Sequence, residues 1–276
     1  MTKRYTRVII IVAIIISMLI VCMIPICVSA DSDMVTVYVV TKKYSHRGNK
    51  KQLMRSYSYN SDGLLYKVKA KHNDPFNEFE KFYYNSDGNI TKVKFGYNNE
   101  TAFIFNYIYD SKGFLATVDA SVVGEEEDDE GIAGQADSYD VVCDKKGYIL
   151  QVNPFEYKKD GSKKYSKIHR IRYKYDKKGH ITWCKSYYTS KKYDISKYYY
   201  NKKHDIKTMK DSDNTFRIKI KYNKKGLITK TSGDGTYTYK YKKIKVKRSL
   251  LPKVKAQRWY ITNYGLNNAF IEESVI

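Results

Sequence analysis

One short pattern governs what this chain can fold into. Alternate aromatic or aliphatic residues lead to Asn or Asp, then two polar residues, Gly and an aliphatic residue. It first reads Tyr57-Ser58-Tyr59-Asn60-Ser61-Asp62-Gly63-Leu64-Leu65, then Phe82-Tyr83-Tyr84-Asn85-Ser86-Asp87-Gly88-Asn89-Ile90. Tyr107-Ile108-Tyr109-Asp110-Ser111-Lys112-Gly113-Phe114-Leu115 follows, and looser copies surround Gly147, Gly179 and Gly226. A seventh copy, Tyr198-Tyr199-Tyr200-Asn201-Lys202-Lys203-His204-Asp205-Ile206, has His where the others have Gly. Successive turn positions are 25, 25, 34, 32, 25 and 22 residues apart, a period typical of repeat architectures.

The pattern is that of a β-hairpin. Asn or Asp at the first turn position accepts a bond from its own backbone. A type I turn closed by Gly in the left-handed region gives a bulged hairpin whose twist suits the strands. Tyr57 and Tyr59, or Tyr173 and Tyr175, fall on one face because strand side chains alternate. Gly63, Gly88, Gly113, Gly147, Gly179 and Gly226 are therefore the expected structural turn residues. At His204 a drifted repeat with a different turn is expected rather than a functional histidine.

Seven hairpins give about fourteen strands, with Val35–Val40 and Tyr237–Val246 as further candidates. An open sheet of that size would be roughly 65 Å wide, and sheets this wide curl or split. The expected fold is all-β: an antiparallel meander, strongly curved or partly rolled, with neighbour-to-neighbour contacts. It occupies residues 31–247, followed by a tail, 248–276, with a short helix over 252–264 that starts at Pro252.

These residues resemble the RHS/YD-repeat family, named for a Tyr-Asp dipeptide before a glycine turn. Tyr109-Asp110-Ser111-Lys112-Gly113 and Tyr175-Asp176-Lys177-Lys178-Gly179 carry the likeness, which extends over about residues 50–230. The resemblance implies β-sheet shells or surface fibres. The repeats here are too few for a large closed shell, and the chain after the last hairpin is too short for a toxin domain. Phe82-Tyr83-Tyr84-Asn85-Ser86-Asp87-Gly88 also resembles the aromatic hairpins of choline-binding and clostridial-toxin modules. Those modules are rich in Trp, whereas this chain has two, so their choline and glucan sites are not carried over.

The N-terminus points to export. Lys3, Arg4 and Arg7 precede a stretch without charge from Val8 to Ala30, ending Val28-Ser29-Ala30 before Asp31. Residues 1–30 read as a signal peptide. An uncleaved signal-anchor is the alternative, because the apolar run is long enough to span a bilayer. Either way the remainder is secreted or displayed at the cell surface.

Charge is unevenly placed. The chain carries 51 Lys and Arg against 29 Asp and Glu. Of these, residues 31–140 hold 13 basic and 18 acidic, and residues 141–276 hold 35 and 11. The acidic run Glu125-Glu126-Glu127-Asp128-Asp129-Glu130, within 124–131, reads as a solvated loop insertion; its contiguous acids lack calcium-loop spacing. Strand alternation places Lys243, Lys245 and Lys247 on one face as an electropositive stripe. It reads either as a solvated edge that resists aggregation or as a site for a surface polyanion.

Chemical signatures are missing from the sequence. The five histidines are scattered, and Cys-x-x-Cys, nucleophile-elbow and phosphate-loop motifs are absent. No catalytic, cofactor-binding or metal residue is assigned, and no cofactor is expected. Cys143 and Cys184 lie three strand steps apart, roughly 14 Å, and are expected as free thiols. The expected role is an exported, non-catalytic surface protein. Its partner would be an anionic cell-surface polymer or a membrane surface, with no specific nucleic acid. The alternatives are a secreted hydrolase with a fold-assembled carboxylate pair and a self-assembling scaffold.

Overall fold

The structure is a computed structural model describing residues 34–70, 77–123, 138–189, 191–211, 214–233 and 235–263. The expected signal segment 1–30 and the acidic loop 124–131 lie outside the described residues. Within them the chain is an all-β antiparallel meander. In chain order it begins with β1 (Met34–Arg47), β2 (Lys50–Tyr59), β3 (Leu65–Ala70), β4 (Phe79–Tyr84) and β5 (Ile90–Tyr97). β6 (Glu100–Tyr109), β7 (Leu115–Val122), β8 (Ser138–Cys143), β9 (Ile149–Tyr157) and β10 (Lys163–Tyr165) follow. Then come β11 (Ile171–Tyr175), β12 (Ile181–Tyr187), β13 (Tyr193–Tyr200), β14 (Ile206–Lys210) and β15 (Thr215–Arg217). β16 (Lys219–Tyr222), β17 (Ile228–Ser232) and β18 (Thr236–Lys247) lead through a 3₁₀ turn to α1 (Leu251–Asn263).

All seven expected reversals are hairpin turns of one design. The Asn or Asp carbonyl accepts the N–H three residues on at 3.0–3.1 Å. Its side-chain oxygen accepts the N–H four residues on, as in Asp110 with Phe114 at 2.9 Å and Asn223 with Leu227 at 3.0 Å. The six turn glycines have φ between +73° and +84°. His204 corrects the expectation of a different turn. It adopts φ +63°, donates to the Asn201 carbonyl at 3.0 Å, and keeps the same geometry with a side chain present. The left-handed conformation costs roughly 1–2 kcal/mol without glycine, and stacking of the His204 ring on His180, with centroids 4.8 Å apart, offsets part of that.

The seven hairpins and two terminal candidates account for sixteen strands; β10 and β15 bring the total among the described residues to eighteen. β10 exists because Lys158–Gly161 forms an eighth turn of this kind, with Gly161 at φ +77° and Lys in the Asn/Asp position. A second difference concerns neighbour-only pairing. β1 and β18, at opposite ends of the chain, pair along their length from Met34↔Lys247 to His46↔Thr236. Each covers backbone groups that would otherwise form an open sheet edge.

The described residues divide into two compact units, one of residues 34–102 with 217–263 and the other of residues 103–216. In the first, strands pair in the order β16-β17-β18-β1-β2-β3-β4-β5. The helix α1 closes its core: Val254 and the preceding Leu250 pack with Val37, Val39, Leu64 and Val246. Gln257, itself buried, accepts the Leu65 N–H at 2.9 Å and donates to the Tyr84 hydroxyl at 3.1 Å. In the second unit the order is β6-β7-β8-β9-β11-β12-β13-β14, and β10 also pairs with β9. Its buried side chains include Phe105, Leu115, Tyr139, Ile149 and Phe155.

Successive hairpins are latched to one another by the residue preceding the turn. Tyr59, Tyr84, Tyr175 and Tyr200 donate their hydroxyls to the carbonyls of Val40, Leu65, Ile149 and Ile181, at 2.5–2.7 Å. Tyr241 donates likewise to Ile228 at 2.6 Å. Where the repeat has Cys143 in place of Tyr, its thiol points to the equivalent carbonyl, Leu115, at 3.6 Å.

Two stability tests follow from the turns and latches. Tyr175→Phe removes the partner of the Ile149 carbonyl and is expected to cost about 1–2 kcal/mol in urea denaturation. Tyr199→Phe, on the exposed face of β13, is expected to be near neutral. Gly226→Ala should cost about 1–2 kcal/mol for its φ alone, since nothing lies within 4 Å of the added methyl. Gly63→Ala should cost more, because its methyl would lie 2.3 Å from Val246 Cγ1. Equal losses at the two glycines would refute the packing argument.

Candidate functional site

The lysines singled out by alternation lie on the last strand of the first unit. Lys243, Lys245 and Lys247 on β18 are exposed, with half-buried Ile244 and buried Val246 between them. Their cross-strand partners on β1 are Tyr38, Thr36 and Met34. Lys243 lies 5.8 Å from the Tyr38 ring centroid, and Lys225 reaches the same ring at 4.7 Å while donating to the Tyr38 hydroxyl. The Lys225 hydrogen bond is the largest influence on Tyr38 and lowers its pKa; burial opposes it, and the positive charges of Lys225 and Lys243 add to the lowering. Lys247 has Asp62 at 3.8 Å. The arrangement is a row of ammonium groups spaced by the strand pleat, a locally positive surface.

Sequence reasoning missed a second basic face, in the other unit. The register of β11, β12, β13 and β14 sets Arg172 opposite Lys185, Lys174 opposite Trp183, Tyr187 opposite Tyr193 and Lys197 opposite Lys210. Cross-strand partners share a face. Cations and rings therefore alternate across four strands, and none of the outward positions described on them carries a carboxylate. Lys185 Nζ lies 3.4 Å from the Tyr193 centroid and 4.8 Å from that of Tyr187. Arg170 covers Tyr187 at 4.4 Å, and Lys174 lies 5.2 Å from Trp183. The signal was present in the aromatic-lysine alternation of residues 183–199, but only the register shows that the residues converge.

Acids near the chemistry-bearing residues are already engaged. Asp110 and Asp144 line a cleft of about 350 Å³ with Cys143, Leu115 and Phe114. Asp110 Oδ1 accepts the Lys112 and Phe114 N–H groups, and Asp144 Oδ1 those of Lys146 and Tyr148, so each holds its own turn. Burial, with the negative charges of both aspartates, pushes the Cys143 thiol up to about 11, the reverse of nucleophile activation. Cys184, on β12, is pushed up to about 12 by burial. Both are free thiols, and the strand order β8-β9-β11-β12 separates them by three steps. Burial alone would raise Asp140, but hydrogen bonds from Lys163 (2.7 Å), Tyr165 (2.5 Å) and Thr117 (3.0 Å) hold it below the usual range. Among the described residues no three His, Cys, Asp or Glu side chains are grouped to hold a metal.

No protein-family model matches the chain, and no curated protein matches it. Solved structures do. A porin-like protein from Bacteroides uniformis is similar at a TM-score of 0.46 and 10% identity, over 76% of this chain and 97% of that one. One from Bacteroides vulgatus gives 0.35 and 9%, over 74% and 98%. The TcdB2-TccC3 complex gives 0.33 and 10%, over 79% of this chain and 14% of that one.

In the first unit, Glu80 on β4 is a buried acid, only 8% exposed. Burial raises its pKa, with the charge of Arg55 opposing. Between the unfolded value, near 4.3, and the higher folded one, the native state holds a proton that the unfolded state has lost. Stability from this group is therefore greatest below about pH 4 and declines as pH rises through the folded value. Glu80→Gln is expected to raise the melting temperature at pH 7, with the gain disappearing below about pH 4. Destabilisation at pH 7 would instead show that the charged carboxylate is the favoured form.

Proposed function

We propose that this protein is an exported, non-catalytic β-hairpin-repeat protein that engages anionic polymers, or the anionic membrane surface, of a cell envelope. The observation that carries the reading is the exposed row of Lys243, Lys245 and Lys247 beside Tyr38, with Lys225 directed to the same ring. Ammonium groups held at strand spacing on a rigid sheet attract a linear polyanion by displacing its counterions, so affinity must fall with salt. The leader-like residues 1–30 support export. The commitment of Asp110 and Asp144 to their own turns, and the raised Cys143 thiol, favour binding over hydrolysis.

The test is capture of the chain on purified envelope fractions across a salt series. Capture should weaken steeply with salt. Replacing Lys243, Lys245 and Lys247 together by Gln should reduce the slope of log affinity against log salt by about two to three. Capture indifferent to salt would refute the mechanism.

A further inference from the structure

We infer that the outward face of β11–β14 is a binding site for an acidic polysaccharide, whose sugar rings lie on Trp183, Tyr193 and Tyr199 and whose carboxylates meet Lys174, Lys185 and Lys210. The inference rests on the polyanion reading and narrows it to a chemical class.

Three observations carry it. First, the cations stand over rings: Lys185 between Tyr187 and Tyr193, Lys174 by Trp183, and Lys210 5.8 Å from the Tyr199 centroid. A ring that steadies a neighbouring ammonium presents an apolar surface and a positive charge side by side. A hexuronate has the matching pair, an apolar C–H face and a carboxylate on one ring. Second, the rings remain accessible, with Tyr193 45% and Tyr199 48% exposed. Their phenol groups can also hydrogen-bond a polyol. Third, Arg170, stacked on Tyr187 with 4.4 Å between its guanidinium carbon and the ring centroid, repeats the pairing of a cation with a ring at one end of the face.

The same details weigh against a phosphate polymer. Bidentate arginine forks are the strong phosphate donors, yet Arg172 Nε is taken by Gln151 at 2.8 Å and Arg170 lies against a ring. The remaining charge is carried by lysines, as separate points. A polyphosphate chain would use those charges and leave the rings unused. The face is three strand steps wide, about 14 Å, enough for several sugars.

The full chain should be titrated with polygalacturonate, polyphosphate, single-stranded DNA and neutral dextran at low salt. Polygalacturonate is expected to bind most tightly. Tyr193→Ala and Tyr199→Ala, at separate exposed positions, should each weaken it about tenfold, a typical loss for an aromatic anchor, and leave polyphosphate binding unchanged. Lys185→Gln should weaken both. Equal binding of polygalacturonate and polyphosphate, insensitive to the tyrosine substitutions, would overturn the inference while leaving the polyanion reading intact. Tighter DNA binding that depends on the same tyrosines would overturn it in favour of nucleic acid. If none of the polyanions binds, the broader reading fails with it.

Discussion

Within each unit the fold depends on a donor placed one residue before the turn, the hydroxyl of Tyr59, Tyr84, Tyr175 or Tyr200 and the thiol of Cys143. Between hairpins the backbone ladder stops early: β3 and β4 pair to Lys67↔Lys81, β7 and β8 to Thr117↔Asp140, β12 and β13 to Trp183↔Lys197. In each case the carbonyl two residues nearer the turn, that of Leu65, Leu115 or Ile181, lies past the last described pair. A buried carbonyl without a donor costs about 1–3 kcal/mol. Tyr84, Cys143 and Tyr200 supply the donor where the ladder does not. A lone hairpin is marginal in water, so within each unit these latches add to the ladder in holding neighbouring strands together at the turn end. The Tyr-Asp and Tyr-Asn dipeptides thus divide two tasks: the acid or amide folds its own turn, and the tyrosine holds the preceding one.

That division explains what could be read from the sequence. Turns are local, and Asn60, Asp110 or Asp176 with a glycine three residues on determines the reversal within five residues, so all seven appeared in the pattern. The Lys158–Gly161 turn did not, because lysine cannot make the side-chain bond that marks the others. β10 and β15, three residues each, are too short to show a period. The β1–β18 pairing joins residues some two hundred apart, and alternation identifies a strand's faces without naming its partner. The helix expected over 252–264 is marked by Pro252 at its start rather than by periodicity, because buried Gln257, Thr262 and Asn263 blur the apolar stripe by which helices are usually recognised.

The candidate sites divide in the same way. The Lys243–Lys247 stripe lies on one strand and follows from alternation alone. The β11–β14 face is assembled from four strands and needs register, which turn chemistry fixes only after every bulge has been placed. The shifts at Lys174/Tyr175 and Tyr199/Tyr200 are such bulges. A one-residue slip at either would turn Lys174 or Tyr199 to the other face.

The sheets also carry a systematic electrostatic cost. Lys67 opposes Lys81, Lys81 opposes Lys94, Lys197 opposes Lys210, and Lys221 opposes Lys230. Like charges directly across a strand pair are destabilising, and Lys67 shows it: burial first, then Lys69 and Lys81, lower its pKa. Aromatic neighbours relieve part of this, as Phe79 does for both Lys67 and Lys81. A fold optimised only for stability would place glutamate opposite these lysines. Keeping the rows unneutralised leaves electrostatic free energy that a bound polyanion would release, and binding of such a ligand would then be linked to sheet stability. Of these lysines, Lys210 belongs to the β11–β14 face, where its repulsion with Lys197 is one that a bound polyanion would relieve.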